Sequence, residues 1–323
     1  MFKQLKDKRI LVTGGSGFVG TNLIKRLLEV GCKNIRATYH DKQPNIFNKN
    51  VTYIKSDLTI TEDCDLVTKD IDYVIMCAAN SHGAAYMEAN PLCLVTPNVV
   101  MNTLMLNASY ENKIEKFIFI SSSTVYPVVD YPIDEEGVIE GSFFEKYYQV
   151  GWMKRFGEVL CYMYSCKIKE PMITVIIRPS NIYGPYEDFE LETSHVIPAL
   201  IKKIVERREC IEIWGDGNDI RDFIYIDDFI NGLLLITEKV NEFNIFNLGT
   251  GKTSSLKEVL KHILKIENYE NVPLVFNKDK PTMISKRLIN VDKIKNMLGF
   301  ASKVDIEEGL RKIIKWYKES IRN

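Results

Sequence analysis

The chain predicts an α/β protein built on a doubly wound parallel sheet. Two observations carry that expectation. Short β-branched runs alternate with amphipathic helical runs through the first half. A glycine-rich turn joins the first run to the first helix, in the strand–turn–helix order that such sheets use.

Arg9-Ile10-Leu11-Val12-Thr13 reads as the first buried strand. Gly14-Gly15-Ser16-Gly17-Phe18-Val19-Gly20 follows, and then the helical stripe Leu23, Ile24, Leu27, Leu28. Glycines at such a turn let the backbone approach a pyrophosphate, and the helix N-terminus offers free N–H groups and partial positive charge. Ile35 to Tyr39 reads as the second strand. Asp41 just past its end would hold the adenosine ribose hydroxyls of NAD; Arg36 or Lys42 would instead pair with the 2′-phosphate of NADP. The balance favours NAD and leaves NADP open.

Val51 to Lys55 is the third strand, with Asp57 beyond it either accepting from an adenine amino group or capping the next helix. Tyr73 to Cys77 is the fourth, ending in Ala78-Ala79-Asn80, where small residues let a flat cofactor lie against the backbone. His82 follows in a small-residue loop, as a solvent-exposed or substrate-touching residue. Asn98 to Leu106 is a helix pattern, and Phe117 to Ile120 is the fifth strand, running into Ser121-Ser122-Ser123-Thr124-Val125-Tyr126-Pro127. Ligands of such sheets bind at the carboxyl ends of the strands, where the glycine loop, Asp57, Ala78 and Ser122 all fall.

Composition narrows the function classes. The chain has 323 residues, enough for one to three domains, with 46% hydrophobic and 26% charged residues, as in ordinary globular proteins. A net charge of -1 gives no electrostatic argument for nucleic acid or an anionic membrane. No apolar run approaches the ~20 residues that span a bilayer, and the first residues lack a signal-peptide core. Seven scattered cysteines without C-x-x-C spacing predict reduced cytoplasmic thiols, and no disulfide framework or metal site.

In the second half, Thr174 to Arg178 is the sixth strand. Asn181 and the loop from Tyr183 to Ser194 follow, where the chain leaves the sheet pattern. Val196 to Val205, Leu256 to Leu264, Val291 to Leu298 and Ile306 to Ile321 read as helices. Arg221, just before a β-rich run, is placed to clamp a diphosphate bidentately; Lys202, Lys203 and Arg287 are weaker phosphate candidates.

Four segments in order then resemble the extended short-chain dehydrogenase/reductases of the NAD(P)-dependent epimerase/dehydratase group. They are Thr13 to Gly20, Ser121 to Pro127, Arg178-Pro179-Ser180-Asn181-Ile182-Tyr183-Gly184-Pro185, and Arg221 to Asp228. Gly184 to Phe189, Ser194-His195-Val196-Ile197-Pro198-Ala199-Leu200, Trp214 to Gly217 and Lys286 to Asn290 are most similar to the GDP-fucose synthase-like branch. The resemblance implies a Rossmann sheet with a smaller mixed C-terminal substrate domain. The cofactor domain would take residues 1–178 and about 226–250, and the substrate domain about 179–225 and 251–323. It also implies cofactor contacts from Gly14, Gly17, Phe18, Val19, Gly20, Asp41, Asp57, Leu58, Ala78, Ala79, Asn98, Lys154 and Pro179. Ser123, Thr124, Asn181, His195, Val196, Arg221 and Arg287 would contact a GDP-sugar. Members of this family pair through the helix near Asn98 and the one carrying Lys154, which implies a homodimer.

The chemistry of the family needs a hydroxyl to orient the sugar oxygen, a lysine ammonium, and a tyrosine four residues before it to move the proton. Ser122 and Lys154 match the first two. Val150 occupies the tyrosine position, and valine transfers no proton. Tyr147 is the nearest substitute; a continuous helix would put Tyr147, Val150 and Lys154 on one face, with Tyr147 about 5 Å too far along the axis. His195 matches the family's epimerisation histidine, but Thr124 stands where its cysteine should be, and a threonine hydroxyl is far too weak an acid for that step. The expectation is therefore an NAD(P)-dependent oxidoreductase acting at C4 of a GDP-linked hexose or heptose without epimerisation. The alternatives are a catalytically silent or regulatory binding protein, or a GDP-sugar epimerase/reductase.

Overall fold

The computed structural model describes residues 2–81, 90, 92–140, 142–280 and 284–322. His82 lies outside the described residues. The expected doubly wound sheet is present. Its strands are β1 (Arg9–Thr13), β2 (Asn34–Tyr39), β3 (Val51–Lys55), β4 (Tyr73–Met76), β5 (Lys116–Ile120) and β6 (Ile173–Pro179). Four short strands follow, β7 (Asn181–Tyr183), β8 (Ile211–Trp214), β9 (Ile220–Arg221) and β10 (Phe223–Tyr225), and then β11 (Asn244–Leu248), which returns to the main sheet. The order is β11-β6-β5-β4-β1-β2-β3, and all seven strands run parallel.

Both faces of this sheet are buried, and the period of two sorts the side chains between them. Ile10, Val12, Ile75, Ile118, Val175 and Ile177 point to one face. There they meet Leu23, Ile24 and Leu27 of the Phe18–Val30 helix and Phe229, Ile230 and Leu233 of the Ile226–Lys239 helix. Leu11, Val74, Met76, Phe117, Phe119 and Ile176 point to the other face. They pack on the helices Thr61–Thr68, Val95–Glu111 and Tyr148–Cys166. Three layers result. The reversal of strand order falls between β1 and β4, so the crevice where such sheets bind ligands opens beyond Thr13 and Met76.

The remaining elements form a mixed layer around the helices Val196–Val205, Leu256–Ile266 and Ile306–Ser320. β12 (Ser254–Ser255) pairs antiparallel with β9, while β14 (Lys286–Arg287) pairs parallel with it and β13 (Leu274–Asn277) runs parallel to β8. Ser255 and Glu258 form a reciprocal capping box that starts the Leu256–Ile266 helix. No helix among the described residues is long and apolar enough to cross a membrane.

One polar network lies inside the second apolar face. Arg178 on β6 is only 1% exposed, and its Nε and Nη2 donate to Glu158 Oε1 and Oε2 at 2.8 and 2.7 Å. Ser121 Oγ donates to the same carboxylate at 2.6 Å. Arg178 Nη1 donates to Tyr126 Oη at 3.0 Å and the Glu135 carbonyl at 2.7 Å, and Tyr126 in turn donates to Asn247 Oδ1 at 2.6 Å. A buried pair stripped of one partner leaves an uncompensated charge. Arg178→Met is therefore expected to lower the unfolding free energy by about 3–5 kcal/mol in urea titration. Arg155→Met, which removes a partly exposed guanidinium at 3.3 Å from the same carboxylate, should cost about 1 kcal/mol or less. Equal losses would contradict this division.

Candidate active site

The glycine loop occupies the crevice at the switch point. Gly14 has φ 63, and a Cβ there would come within 2.8 Å of Ala78 Cα, so β1 and β4 touch through a position that only glycine fills. A Cβ on Gly20 would collide with the Gly14 carbonyl oxygen. Gly14 N–H donates to Thr38 Oγ1 at 3.0 Å, and Gly15 N–H to the Thr38 carbonyl at 2.7 Å, tying the loop to the end of β2. Gly17 is the cap of the Phe18–Val30 helix and supplies no side-chain acceptor. Its first N–H groups thus remain available for an anion.

Around this loop the structure spreads the other cofactor candidates. Ala78 lies against Gly14, and Ala79 is exposed just beyond it. Asp41 is exposed and pairs with His40 Nδ1 at 2.9 Å. Asp57 accepts from Thr59 N–H and Oγ1 at 2.9 and 2.6 Å, chiefly through the Thr59 hydroxyl, and these bonds hold its carboxyl below the usual range. The capping alternative for Asp57 is corrected: Ile60 caps the Thr61–Thr68 helix, and Asp57 spends its side chain two residues away in its own turn. Arg36, the NADP alternative, donates through Nη1 to the carbonyls of Val67 and Lys69 at 2.9 and 2.6 Å. Leu58 is buried in the core beneath the sheet. Asn98 is buried and bonds both to Asn80 N–H and to the Asn80 carbonyl, at 2.9 and 2.8 Å, so it shapes the loop after β4. Pro179 ends β6 opposite Leu248.

Lys154 sits one turn before Glu158 on the Tyr148–Cys166 helix. Its Nζ donates to the Ile120 carbonyl at 2.8 Å and lies 5.4 Å from the centre of the Phe119 ring. A Cβ on Gly157 would strike that ring, so the missing side chain lets the helix approach β5 closely. Burial lowers the Lys154 ammonium to about 8, against an opposing pull from Glu158. Ser122 follows Ser121, the residue that Glu158 anchors, and its Oγ accepts from Thr124 N–H at 3.1 Å. Ser123 and Thr124 continue into a short 3₁₀ turn, Ser123–Val125, and Thr124 Oγ1 has no hydrogen-bond partner among the described residues.

The continuous helix expected through Tyr147 is corrected. Glu145–Tyr147 is a 3₁₀ turn, closed by Tyr147 N–H on the Phe144 carbonyl at 2.7 Å, and the α-helix begins at Tyr148. Tyr147 therefore precedes the α-helix that carries Val150 and Lys154. Burial raises its phenol above the ordinary value, while the guanidinium groups of Arg221 and Arg287 pull it down. The Asp219 carboxylate adds to the rise.

Arg221 and Arg287 stand opposite each other on the paired strands β9 and β14, and both are buried. Arg221 donates to Asp219 Oδ2 at 3.2 Å and to the carbonyls of Ile220 and Ile284. Arg287 Nη1 donates to the carbonyls of Tyr126 and Pro127 at 3.2 and 2.9 Å, and its Nη2 has no partner among the described residues. Burial lowers the Arg287 guanidinium to about 10, with Tyr147 working against the shift and Arg221 with it. Two buried cations held side by side, one with an open donor face, suit a doubly charged anion. The other phosphate candidates are engaged: Lys202 with Glu190 at 3.4 Å and Lys203 with the Glu212 carbonyl at 2.9 Å. Asn181 Nδ2 donates to the Asp222 carbonyl at 3.0 Å, and Val196 is exposed at the start of its helix beside His195.

Comparison with known proteins places this geometry. The family model described as "NAD dependent epimerase/dehydratase family" matches residues 10–249. The chain belongs to that family. It is 30% identical to GDP-L-fucose synthase of Sinorhizobium fredii, over 95% of each chain. It is 29% identical to GDP-L-colitose synthase of Yersinia pseudotuberculosis, over 98% of this chain and 99% of that one. Among solved structures it superposes on UDP-glucose 4-epimerase of Thermotoga maritima with a TM-score of 0.86 at 25% identity, covering 97% and 99% of the two chains.

The cofactor of the family is NAD, and the chain's own residues fit it. Two glycine positions leave no room for a Cβ, and the uncapped helix behind them is suited to a diphosphate. When bound, NAD supplies the hydride acceptor or donor. Gly14 to Gly20 would hold its diphosphate, while the Lys154 ammonium lies on the Ile120 carbonyl at the end of β5, two residues before Ser122. The motif residues were visible in the sequence. Glu158, Glu135 and Asn247, which brace them from below, carry no motif of their own, and only the one-turn spacing of Glu158 from Lys154 hinted at a shared face.

Proposed function

We propose that this family member is an NAD(P)-dependent oxidoreductase acting on a GDP-linked hexose or heptose, with hydride passing between sugar C4 and the nicotinamide and without epimerisation. The observation that carries the reading is the paired Arg221 and Arg287, whose buried, in-register guanidinium groups match a nucleotide-sugar diphosphate. The guanine nucleotide is supported by relatives named for GDP-L-fucose and GDP-L-colitose synthesis. Ser122 would orient the sugar oxygen, and Lys154 would hold the nicotinamide ribose. Thr124 in place of a cysteine supports the absence of epimerisation, because a hydroxyl lacks the acidity for proton exchange at carbon. Asp41 beside the cradle and the engagement of Arg36 with two carbonyls support NAD over NADP.

The cofactor domain is read as residues 1–178 with about 226–250, supported by the return of β11 to the sheet edge beside β6. The other proposed domain takes about 179–225 and 251–323. A cytoplasmic setting is supported by the seven free cysteines.

Val150 favours a second reading, a catalytically silent protein that holds cofactor and nucleotide sugar. Tyr147 sits with the arginines, which leaves water to carry the proton that a phenol at position 150 would move. The two readings separate in one assay. With candidate GDP-sugars and NAD, nicotinamide absorbance should report slow turnover by the natural chain. Val150→Tyr should raise it by about 10²–10⁴-fold, the range credited to positioned acid–base groups. A Val150→Tyr variant that binds both ligands yet turns over no faster would refute the account of Val150. Absence of stoichiometric product under single-turnover conditions would favour the silent reading.

A homodimer is proposed through the helices Val95–Glu111 and Tyr148–Cys166. Tyr148, Trp152 and Phe156 form an exposed aromatic row at four-residue spacing on the second of these, with Met163 further along. Light scattering at micromolar concentration should give twice the chain mass of 37.2 kDa, and a monomer would count against the pairing.

A further inference from the structure

The segment before the Tyr148–Cys166 helix is fixed at two points. Phe143 pairs antiparallel with Pro127 in an isolated bridge. Its ring also seats against Gly151, where a Cβ would come within 2.7 Å of Phe143 Cγ. Only Phe144 to Val150 lie between those points, and there the chain makes the 3₁₀ turn Glu145–Tyr147 before the α-helix begins. Of the two adjacent tyrosines, Tyr148 is 52% exposed and meets Trp152 edge-on at 6.3 Å. Tyr147 is half-buried, with its ring against Phe144 at 5.7 Å between centres.

The same bridge adjoins Arg287. Its Nη1 donates to the Pro127 carbonyl at 2.9 Å, and Pro127 is the bridge partner of Phe143. Tyr147 therefore lies four residues from a backbone pairing that Arg287 itself grips. The two side chains also feel one another. After burial, the largest influence on the Arg287 guanidinium is Tyr147, ahead of Arg221 and Tyr126. For the Tyr147 phenol burial likewise comes first, followed by Arg221 and Arg287 and then Asp219. The net direction is upward, so the phenol keeps its proton at neutral pH and serves as a neutral donor.

The charges at this place suit such a donor. Asp219 Oδ2 lies 3.2 Å from Arg221 Nη2 and offsets that guanidinium. Arg287 is 6% exposed and has carbonyls as its hydrogen-bond partners, and its Nη2 is a buried donor with no partner among the described residues. A buried donor left bare is costly, and an anion arriving beside it removes that cost. Each oxygen of a diphosphate accepts more than one hydrogen bond, and a phenol supplies one without adding charge.

We propose that Tyr147 is a substrate-binding residue whose hydroxyl donates to the diphosphate of the nucleotide sugar beside Arg287, and that it takes no part in proton transfer. This rests on the reading of the arginine pair as a diphosphate site, and it gives Tyr147 a use independent of Lys154.

Calorimetric titration of the NAD-loaded protein tests it, with GDP and inorganic pyrophosphate as probes. NAD occupies the glycine loop, so the anion reports on the arginines. Tyr147→Phe removes one oxygen and keeps the ring against Phe144. It should weaken both probes about tenfold, the loss of one hydrogen bond to a charged group, and leave NAD affinity within about twofold. Arg287→Met should weaken both probes at least as much. Unchanged affinity for both probes in Tyr147→Phe would overturn the proposal. So would a loss for GDP alone, which would put the hydroxyl on the nucleoside, and so would pyrophosphate binding that survives Arg287→Met. Should Tyr147→Phe fail to fold, 3-fluorotyrosine placed at position 147 gives a single fluorine signal that should move as pyrophosphate is added; a signal that stays in place would overturn the proposal. In turnover, Tyr147→Phe should raise KM for the nucleotide sugar and leave kcat within about twofold, and a fall in kcat at saturation would instead make Tyr147 a proton carrier. Failure of the GDP-sugar reading is seen separately. A chain that binds pyrophosphate through Arg287 and refuses GDP defeats that reading and still decides the role of Tyr147, whereas a chain that binds neither probe defeats both.

Discussion

The bidentate contact between Arg178 and Glu158 is the constraint on which the chemical end of this molecule depends. It joins the interior of β6 to the Tyr148–Cys166 helix inside an apolar face. Through Ser121 it also fixes the end of β5. Lys154 lies one turn from Glu158 and Ser122 one residue from Ser121, so a single carboxylate sets the spacing between the ammonium and the hydroxyl. A buried pair of this kind is weak evidence for stability in itself, since its desolvation opposes its attraction. Its use here is geometric: all three guanidinium nitrogens are hydrogen-bonded in this one orientation, and the helix sits at a height where Lys154 reaches the Ile120 carbonyl.

Away from that pair the site divides into two ends, each proposed to hold an anion and built by different means. At one end backbone alone does the work, through a glycine turn too tight for side chains and a helix that brings no cap of its own. At the other end side chains do it, through Arg221 and Arg287 held across β9 and β14. Tyr147 belongs to the second end because a 3₁₀ turn, and not an α-helical one, precedes Tyr148. That local choice sets it before the helix that carries Lys154, and Val150 supplies no acid or base there.

Much of the fold was legible because each strand is a short apolar run with the same period of two. The sheet is buried on both faces, so the runs read clearly even where alternation is weak. The glycine loop was legible because its sterics admit few residues. Harder to read were features set by contacts distant in sequence. Arg36 resembled a cation placed for a 2′-phosphate, yet its Nη1 is taken up by two carbonyls at the end of the Thr61–Thr68 helix. Nothing in the sequence marked Glu187, and the folding of its loop buries its carboxylate against His195. Asp57 offered two roles by spacing, and the third that the structure shows, a bond within its own turn, needs only a threonine two residues on.

The central claim is that the cradle and the arginine pair are held independently of the missing phenol, so that Val150 affects chemistry and not binding. Calorimetric titration of the natural chain and of Val150→Tyr with NAD and with GDP tests this most directly. The account predicts that both proteins bind both ligands, with dissociation constants that agree within about twofold, well under the 1.4 kcal/mol that a tenfold change represents. Binding that is absent from the natural chain and appears only with tyrosine at position 150 would contradict it.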